Sequence, residues 1–478
     1  MIETLCADTS REKASVATVT RTAMRMTSKP NRESDSQSEL AATIRLAVPV
    51  VLVQLGFTTM GLVDTLMVGR LSATILAAVA LGNLYFFNVS IFGVGTLMAL
   101  DPLVSQAIGA GDHDGVSRAV QRGLVIAGLI SVMTVLCLAP ATPVLRALHQ
   151  PAEIVPDAAA YVQISIAGVI PYFSFVVLRQ SLQAMHRVAP IVWTVIAANL
   201  SNAGLNWVFV YGHLGSPAMG VAGSAVATSI SRWMMTLLLL GLAWKDLRPN
   251  LVPLRDGVLQ WAPIAKMLKL GLPIGAQQGL EVSAFGATGL LMGLLGTVPM
   301  AAHQIAITLA SFTFMVPVGV ATAAAVRVGR AIGRGDDAHA QAAIRAAYLC
   351  GVGFMTLTAI AFLSVPHLLA AAFSKDVAVV TLAATLLPIA GIFQVFDGAQ
   401  AVGAGVLRGA GDTTVPLYAM LAAYWIVGVP VSVLLGFKTS LGPAGLWWGF
   451  VVSLAAVAIV LFFRIRAVFR RGVRRVTV

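Results

Sequence analysis

The stretch MLKLGLPIGAQQGLEVSAFGATGLLMGLLG, running from Met267 to Gly296, decides how the rest of the chain is read. It is long and apolar enough to cross a bilayer, yet Glu281 stands near its middle, about 20 Å from either end at helical rise. An unpaired charge there costs at least ~2.5 kcal/mol. Gln277 and Gln278, four and three residues earlier, and Thr288, seven later, share the helical face of Glu281. A face this polar must look into a bundle or a cavity rather than into lipid. Glu281 is then either a protonated acid hydrogen-bonded to a neighbouring helix or a site for a cation or proton. Intramembrane acids usually mark ion pathways, which favours the second.

The composition places the whole chain in the same medium. Of 478 residues 58% are hydrophobic and 11% charged, with a mean hydropathy of +0.86, so a soluble globule is excluded and a polytopic all-α membrane protein is expected. Apolar segments of spanning length, punctuated by Gly, Pro, Asp or Arg, recur twelve times between residues 43 and 464. Residues 1–40 are rich in Ser, Thr and charge and are expected to be a disordered cytosolic tail.

The net charge of +12 suggests nucleic acid only until the basic residues are placed. With the N-terminus inside, Arg70, Arg146, Lys375 and Lys438 alone fall outside, a bias that reflects topology and excludes a nucleic-acid partner. Both termini are then cytoplasmic and the protein multi-pass in the inner membrane. The basic tail 465–478, together with Arg464 at the end of the last span, is expected to meet anionic membrane lipid.

Shifting the sequence by 224 residues superimposes Pro49 on Pro273, Gln54 on Gln278, Gly95 on Gly319, and AIGAGD from Ala107 on AIGRGD from Ala331. The chain is an internal duplication. Six spans per repeat is an even number, so the two halves enter from the same side and are related by a pseudo-two-fold along the membrane normal. The expected architecture is an N-lobe over 41–243 and a C-lobe over 267–464 flanking a central cleft. The polar stretch 244–266 is expected to be a cytosolic linker between them.

The repeat also separates scaffold from chemistry. Glu281 aligns with Phe57 and Asp64 with Thr288, so each lobe carries its own acid at its own depth. Asp397, flanked by Gln394 and Gln400, lies in the same lobe as Glu281 and could share one cation with it: Na⁺ through oxygen ligands or H⁺ through the carboxyl groups. Asp64 sits closer to the outer surface. Asn199, Asn202 and Asn206 form a polar stripe at i, i+3 and i+7 in the same lobe, suited to proton exchange or to plain interhelical hydrogen bonding. Asp101-Pro102, Arg327 and Arg179 read as structural or inside-facing gate residues and His303 as interfacial.

Cys6, Cys137 and Cys350 form no disulfide framework or metal-ligand spacing. There is no phosphate-cradling GxxxxGK[ST] and no nucleophile–base constellation, so the reading is a secondary transporter without a cofactor, not an enzyme. Energy must come from an ion gradient.

Several segments together resemble the multidrug and toxic compound extrusion transporters, specifically the NorM-type branch. They are MGLVDTLMVGRLS from Met60, PAMGVAGSAVATSIS from Pro217, LEVSAFGATGLLMGLLG from Leu280, MAAHQIA from Met300, FMVPVGVATAAAVRVGRAIGRGD from Phe314 and FQVFDGAQAVGAGVLRGAGDT from Phe393. The resemblance covers about residues 41–464. It implies twelve helices in two lobes around a V-shaped cleft, exporting organic, often cationic, small molecules in exchange for Na⁺ or H⁺. It further implies that Glu281 and Asp397 bind the coupling cation and that Asp64 takes part in protonation. Phe393 stands where a NorM-type Na⁺ site can place a tyrosine, which removes one hydroxyl from that site. Asp101, before Pro102, departs from the neutral residue expected there. A monomer is expected. A flippase for lipid-linked precursors, which shares the fold, is the alternative; it would call for a basic cleft, whereas the cleft candidates here are acidic.

Overall fold

A computed structural model describes residues 32–477; residues 1–31, most of the expected tail, lie outside it. Twelve helical segments of membrane length follow one another through short turns. They are α1 (Arg32–Gly69), α2 (Ala73–Gly109), α3 (His113–Leu138), α4 (Val155–Ala184), α5 (Ala189–Tyr211), α6 (Gly220–Leu242), α7 (Trp261–Leu294), α8 (Thr297–Arg334), α9 (Asp337–Ser364), α10 (Val377–Gly409), α11 (Thr414–Phe437) and α12 (Pro443–Arg470). Among the described residues there is no strand. Ten of the twelve qualify as spans on length and mean hydropathy alone. The two that do not, α5 and α7, carry the Asn199/Asn202/Asn206 stripe and the Gln277/Gln278/Glu281 face, so the polar residues that lower their hydropathy are the candidate site residues themselves.

Where the backbone leaves the α-helix, the breaks fall at the lobe centres. α2 loosens at Met98–Ala99, α4 passes through a 3₁₀ turn at Ile166–Gly168, and α11 winds as a π-helix over Leu421–Gly428. Such π segments are rare and concentrate at functional sites. At one end of the molecule four turns repeat a single geometry. In each, a backbone N–H reaches the carbonyl five residues back: Asp112 to Ala107, Arg187 to Leu182, Asp336 to Ala331 and Asp412 to Leu407, all within 2.8–2.9 Å. The residue before each is left-handed, Gly111, His186, Gly335 and Gly411 having φ of +70°, +61°, +68° and +78°. A duplicated chain thus uses one turn four times at this end, and the same geometry recurs elsewhere from Gln150 to Leu145 and from His213 to Val208.

The pseudo-two-fold is visible in the packing between lobes. α2 crosses α7 so closely that a Cβ on Gly95 would lie 2.7 Å from the Gly275 Cα. The equivalent crossing, 224 residues on for one partner and back for the other, sets Gly319 of α8 against Val51 of α1, where an added Cβ would again collide. Gly95 is needed because backbone meets backbone, and Gly319 because the Val51 side chain fills the space a Cβ would take.

Between the lobes, polar contacts gather at the end that carries both described termini. Gln106 donates to the Gly409 carbonyl at 2.9 Å, Arg330 to the Ala184 carbonyl at 3.1 Å, and Arg327 pairs with Glu39 of α1. Arg408 meets Asp101 at 3.3 Å. The segment after α12 crosses the same seam: Arg475 pairs with Asp112 at 2.5 Å and the Val476 N–H donates to Gln106 Oε1 at 2.7 Å. The cleft is therefore closed at this end.

Three expectations about the flanking segments change. Residues 32–40 belong to α1 rather than to an unstructured tail, because the helix runs on past the apolar core. Within the 244–266 linker Trp244–Leu251 is helical and the piece after it is pinned to α3, while Trp261 already opens α7, so the linker ends earlier than expected. Gln121 does the pinning, donating to the carbonyls of Asn250 at 3.1 Å and Pro253 at 2.9 Å and accepting from the Arg255 N–H at 2.9 Å. Arg464 and Arg475, expected at the lipid surface, instead pair with Asp412 and Asp112, since carboxylates at the repeated turns lie within reach. His303, expected at the interface, is buried with its ring 5.6 Å from that of Trp447.

Candidate functional site

Between the lobes lies a cavity of about 370 Å³, lined mostly by C-lobe residues, with Glu281 of α7 and Asp397 of α10 in its wall. The two acids are 116 residues apart in sequence and meet because α7 and α10 both flank α8. Gln278 and Phe393 line the same space; Phe87 and Ile91 of α2 close it from the N-lobe. Asp397 is buried, and its Oδ1 meets no hydrogen-bond donor among the described residues. Two carboxylates facing apolar and aromatic walls need a proton or a cation to offset their desolvation. Among the described residues no three of His, Cys, Asp and Glu form a cluster.

Below this cavity, toward the closed end, lies a smaller chamber of about 90 Å³ that Glu281 also lines, together with Gln277, Gln278, Met98, Gln400 and Arg408. Gln277 is mostly committed elsewhere, donating to the Thr413 carbonyl at 2.8 Å and tying α7 to α11.

Five of the residues expected to line the cleft lie off both cavities: Thr288, Gln394 and the three asparagines of the α5 stripe. Thr288 is buried and bonds back to the Ala284 carbonyl at 3.2 Å within its own helix, because it lies two turns, about 10 Å, further along α7, where the same face meets other helices instead of the cavity. Gln394, fully buried, accepts from Thr313 at 3.0 Å and Thr358 at 2.7 Å, so it joins α8, α9 and α10 behind the site.

The N-lobe acid has a site of its own. Asp64, 8% exposed, accepts from Asn206 at 2.6 Å and from Thr228 at 3.4 Å. Asn206 Nδ2 also reaches Asn202 Oδ1 at 3.2 Å, so two members of the stripe belong to the Asp64 cluster. Asn199 does not; it donates to the Gly56 carbonyl at 3.1 Å and joins α5 to α1. Both contacts reach α1, but Asn199 meets it at Gly56, two turns from Asp64, so only Asn202 and Asn206 stand at the depth of the acid.

Sequence reading missed three residues. Thr228 and Arg232, one turn apart on α6, complete the Asp64 pocket, and the Arg232 guanidinium lies 3.8 Å over the Phe86 ring. Arg232 stands ten or more residues from either end of α6, so its spacing alone marks an intramembrane cation; among so many basic residues of the terminal side it did not stand out. Tyr424, in the π-helical turn of α11, is buried with its ring 6.5 Å from that of Phe285, a wall residue of the cavity, and its hydroxyl has no partner among the described residues. No spacing links residue 424 to residue 281 in the sequence.

Outside the spans, His186 in the α4–α5 turn is held down to about 4 by burial, and then by Arg330, Arg327 and Arg334. Asp112 lies below its ordinary value, chiefly through its hydrogen bond from Arg475.

Comparison with known proteins agrees with this architecture. The MatE family model matches residues 49–208 and 273–434, two stretches whose starts reproduce the 224-residue offset of the internal repeat. A curated relative, the probable multidrug resistance protein NorM of Mesorhizobium japonicum, is 40% identical over 441 residues, covering 90% of this chain and 94% of the relative. The eukaryotic MATE transporter AtDTX14 superposes with a TM-score of 0.81 at 22% identity, covering 92% of this chain and 99% of that one. A variant of the Vibrio cholerae MATE transporter VcmN superposes with a TM-score of 0.82 at 18% identity, covering 92% and 98%. With two matched repeats, twelve helices and a relative of this identity along nearly its whole length, the chain belongs to the MatE family, the multidrug and toxic compound extrusion transporters, which are membrane transporters and not enzymes.

Proposed function

We propose that the protein is a cation-coupled antiporter that exports amphipathic, often cationic, compounds across the cytoplasmic membrane by alternating access. The observation that carries the reading is the meeting of Glu281 and Asp397 in one largely apolar cavity between lobes that are sealed at the opposite end. The apolar and aromatic walls suit amphipathic cargo and the acids suit its charge. The positive-inside bias makes the sealed end cytoplasmic, so the state described here faces outward. In this reading Na⁺ or H⁺ loads at Glu281/Asp397, with Asp64 as the N-lobe proton site, and biases the lobes to rock inward. A cation entering down 100 mV contributes ~2.3 kcal/mol per charge, comparable to a fortyfold to fiftyfold concentration ratio. The protein acts as a monomer, its two lobes supplying the whole cleft. A lipid-precursor flippase is disfavoured because the ionisable groups in the large cavity are acids.

The test is efflux of a fluorescent cationic dye from proteoliposomes under an imposed Na⁺ or pH gradient, with Glu281→Gln, Asp397→Asn and Asp64→Asn beside the parent. Gradient-driven efflux lost in the C-lobe variants supports the reading. Folded protein that moves no cationic dye under either gradient overturns it.

A further inference from the structure

Asp101 and Arg408 form a contact that the transport reading above leaves without a role. Asp101 opens the second half of α2, Leu100–Gly109, and is fully buried; its cation partner Arg408 belongs to α10 in the other lobe, with Nε 3.3 Å from Oδ2. The pair is poorly made. Neither Asp101 oxygen receives a hydrogen bond from the described residues, and neither does Arg408 Nε give one; Arg408 Nη1 turns instead to the Met98 sulfur at 3.5 Å. A buried ion pair that lacks supporting hydrogen bonds does not recover its desolvation cost, so as static glue between lobes it is a poor choice. It gains by rehydration when the seam parts.

The pair also sits directly on the route from the coupling site. Arg408 lines the 90 Å³ chamber that Glu281 borders, and Met98, at the break in α2, touches both Arg408 and Gln278, whose Nε2 lies 3.8 Å from its sulfur. One short chain of contacts thus runs from the face of Glu281 through Met98 to the Arg408–Asp101 pair. Around it the seam is tight: a Cβ on Gly329 would collide with Ser105, one turn beyond Asp101.

We propose that the Asp101–Arg408 pair is the charged inner gate between the lobes, formed in the state sealed at the terminal end and broken, with water admitted to both charges, each time that end opens. It rests on the alternating-access reading. Its physical content is a pair of opposite signs. Removing one charge leaves the other buried and unpaired and should force the seam open; replacing both by apolar side chains of similar volume should hold it shut.

The experiment reads the gate without transport. In a background with Cys6, Cys137 and Cys350 replaced by Ser, Ser105→Cys reports the seam by its rate of reaction with a membrane-impermeant maleimide from the terminal side. Asp101→Asn is expected to raise that rate about tenfold or more, and Asp101→Leu with Arg408→Met to lower it below the parent. Equal labelling of all three folded proteins overturns the gate. So does faster labelling in both variants, which would make the pair simple support for the seam. Because the readout is accessibility, labelling of the expected signs in protein that moves no dye separates failure of the antiporter reading from failure of the gate.

Discussion

Replacing Asp397 by Asn tests the coupling site most directly. Asp397 is 4% exposed in the wall of the cavity it shares with Glu281. At an effective dielectric near 20, a monovalent cation about 4 Å from a carboxylate gains ~4 kcal/mol. Asn keeps one oxygen ligand and removes the desolvation of the charge, so roughly half of that gain is lost, about 2–3 kcal/mol. At 1.4 kcal/mol per tenfold, a half-saturating Na⁺ concentration should rise about thirtyfold to hundredfold, whereas a proton site is lost outright because an amide takes no proton. Dye efflux from proteoliposomes, titrated with Na⁺ at fixed pH and with H⁺ in its absence, gives that concentration and identifies the ion. The control is Gln394→Leu, three residues away but bonded to Thr313 and Thr358 behind the cavity; it should lower stability and leave the half-saturation unchanged. Parental ion dependence in Asp397→Asn, or an equal shift in Gln394→Leu, refutes a cation site built on Asp397.

Three further outcomes follow from the geometry. Gly95→Ala places a methyl 2.7 Å from the Gly275 Cα and should cost ~1–3 kcal/mol, seen as a lower unfolding temperature in detergent, whereas Gly61→Ala enters open space and should be neutral or mildly stabilising. Asn206→Leu removes the 2.6 Å donor of Asp64 and should destabilise by ~1.5–3 kcal/mol; adding Asp64→Leu should recover part of that loss, a double-mutant cycle that an independent asparagine would not show. His186 has a folded pKa near 4 against an ordinary 6.5, so the unfolded chain binds its proton first as the pH falls. Stability should therefore decline between pH 6.5 and 4, and His186→Gln should flatten that slope in unfolding temperatures measured across the window.

Much of the architecture was legible before any coordinates. Hydrophobic segments of bilayer length are an obligation of the solvent, because every backbone group in lipid must be bonded within its own helix. The 224-residue offset then required two equivalent lobes, and the same offset reappears in the Gly95–Gly275 and Gly319–Val51 crossings. The acids were legible for the same reason: Glu281, Asp397 and Asp64 are costly where they stand, and cost in an apolar run shows in one dimension.

What sequence alone could not decide is which polar side chain faces which neighbour. Helical periodicity placed Gln277, Gln278 and Thr288 on one face, but the partners of that face belong to other helices, so Thr288 turned into the bundle and Gln277 onto Thr413 while Gln278 stayed at the cavity. The hydroxyl of Tyr424, the guanidinium of Arg232 and the pairing of Asp101 with Arg408 became visible only in three dimensions. The sequence by itself determined the medium, the duplication and the positions of the buried charges, since each follows from the free energy of placing a residue in hydrocarbon. Only the tertiary structure decided their partners, because contacts between helices a hundred or more residues apart depend on crossing geometry, which no local pattern encodes.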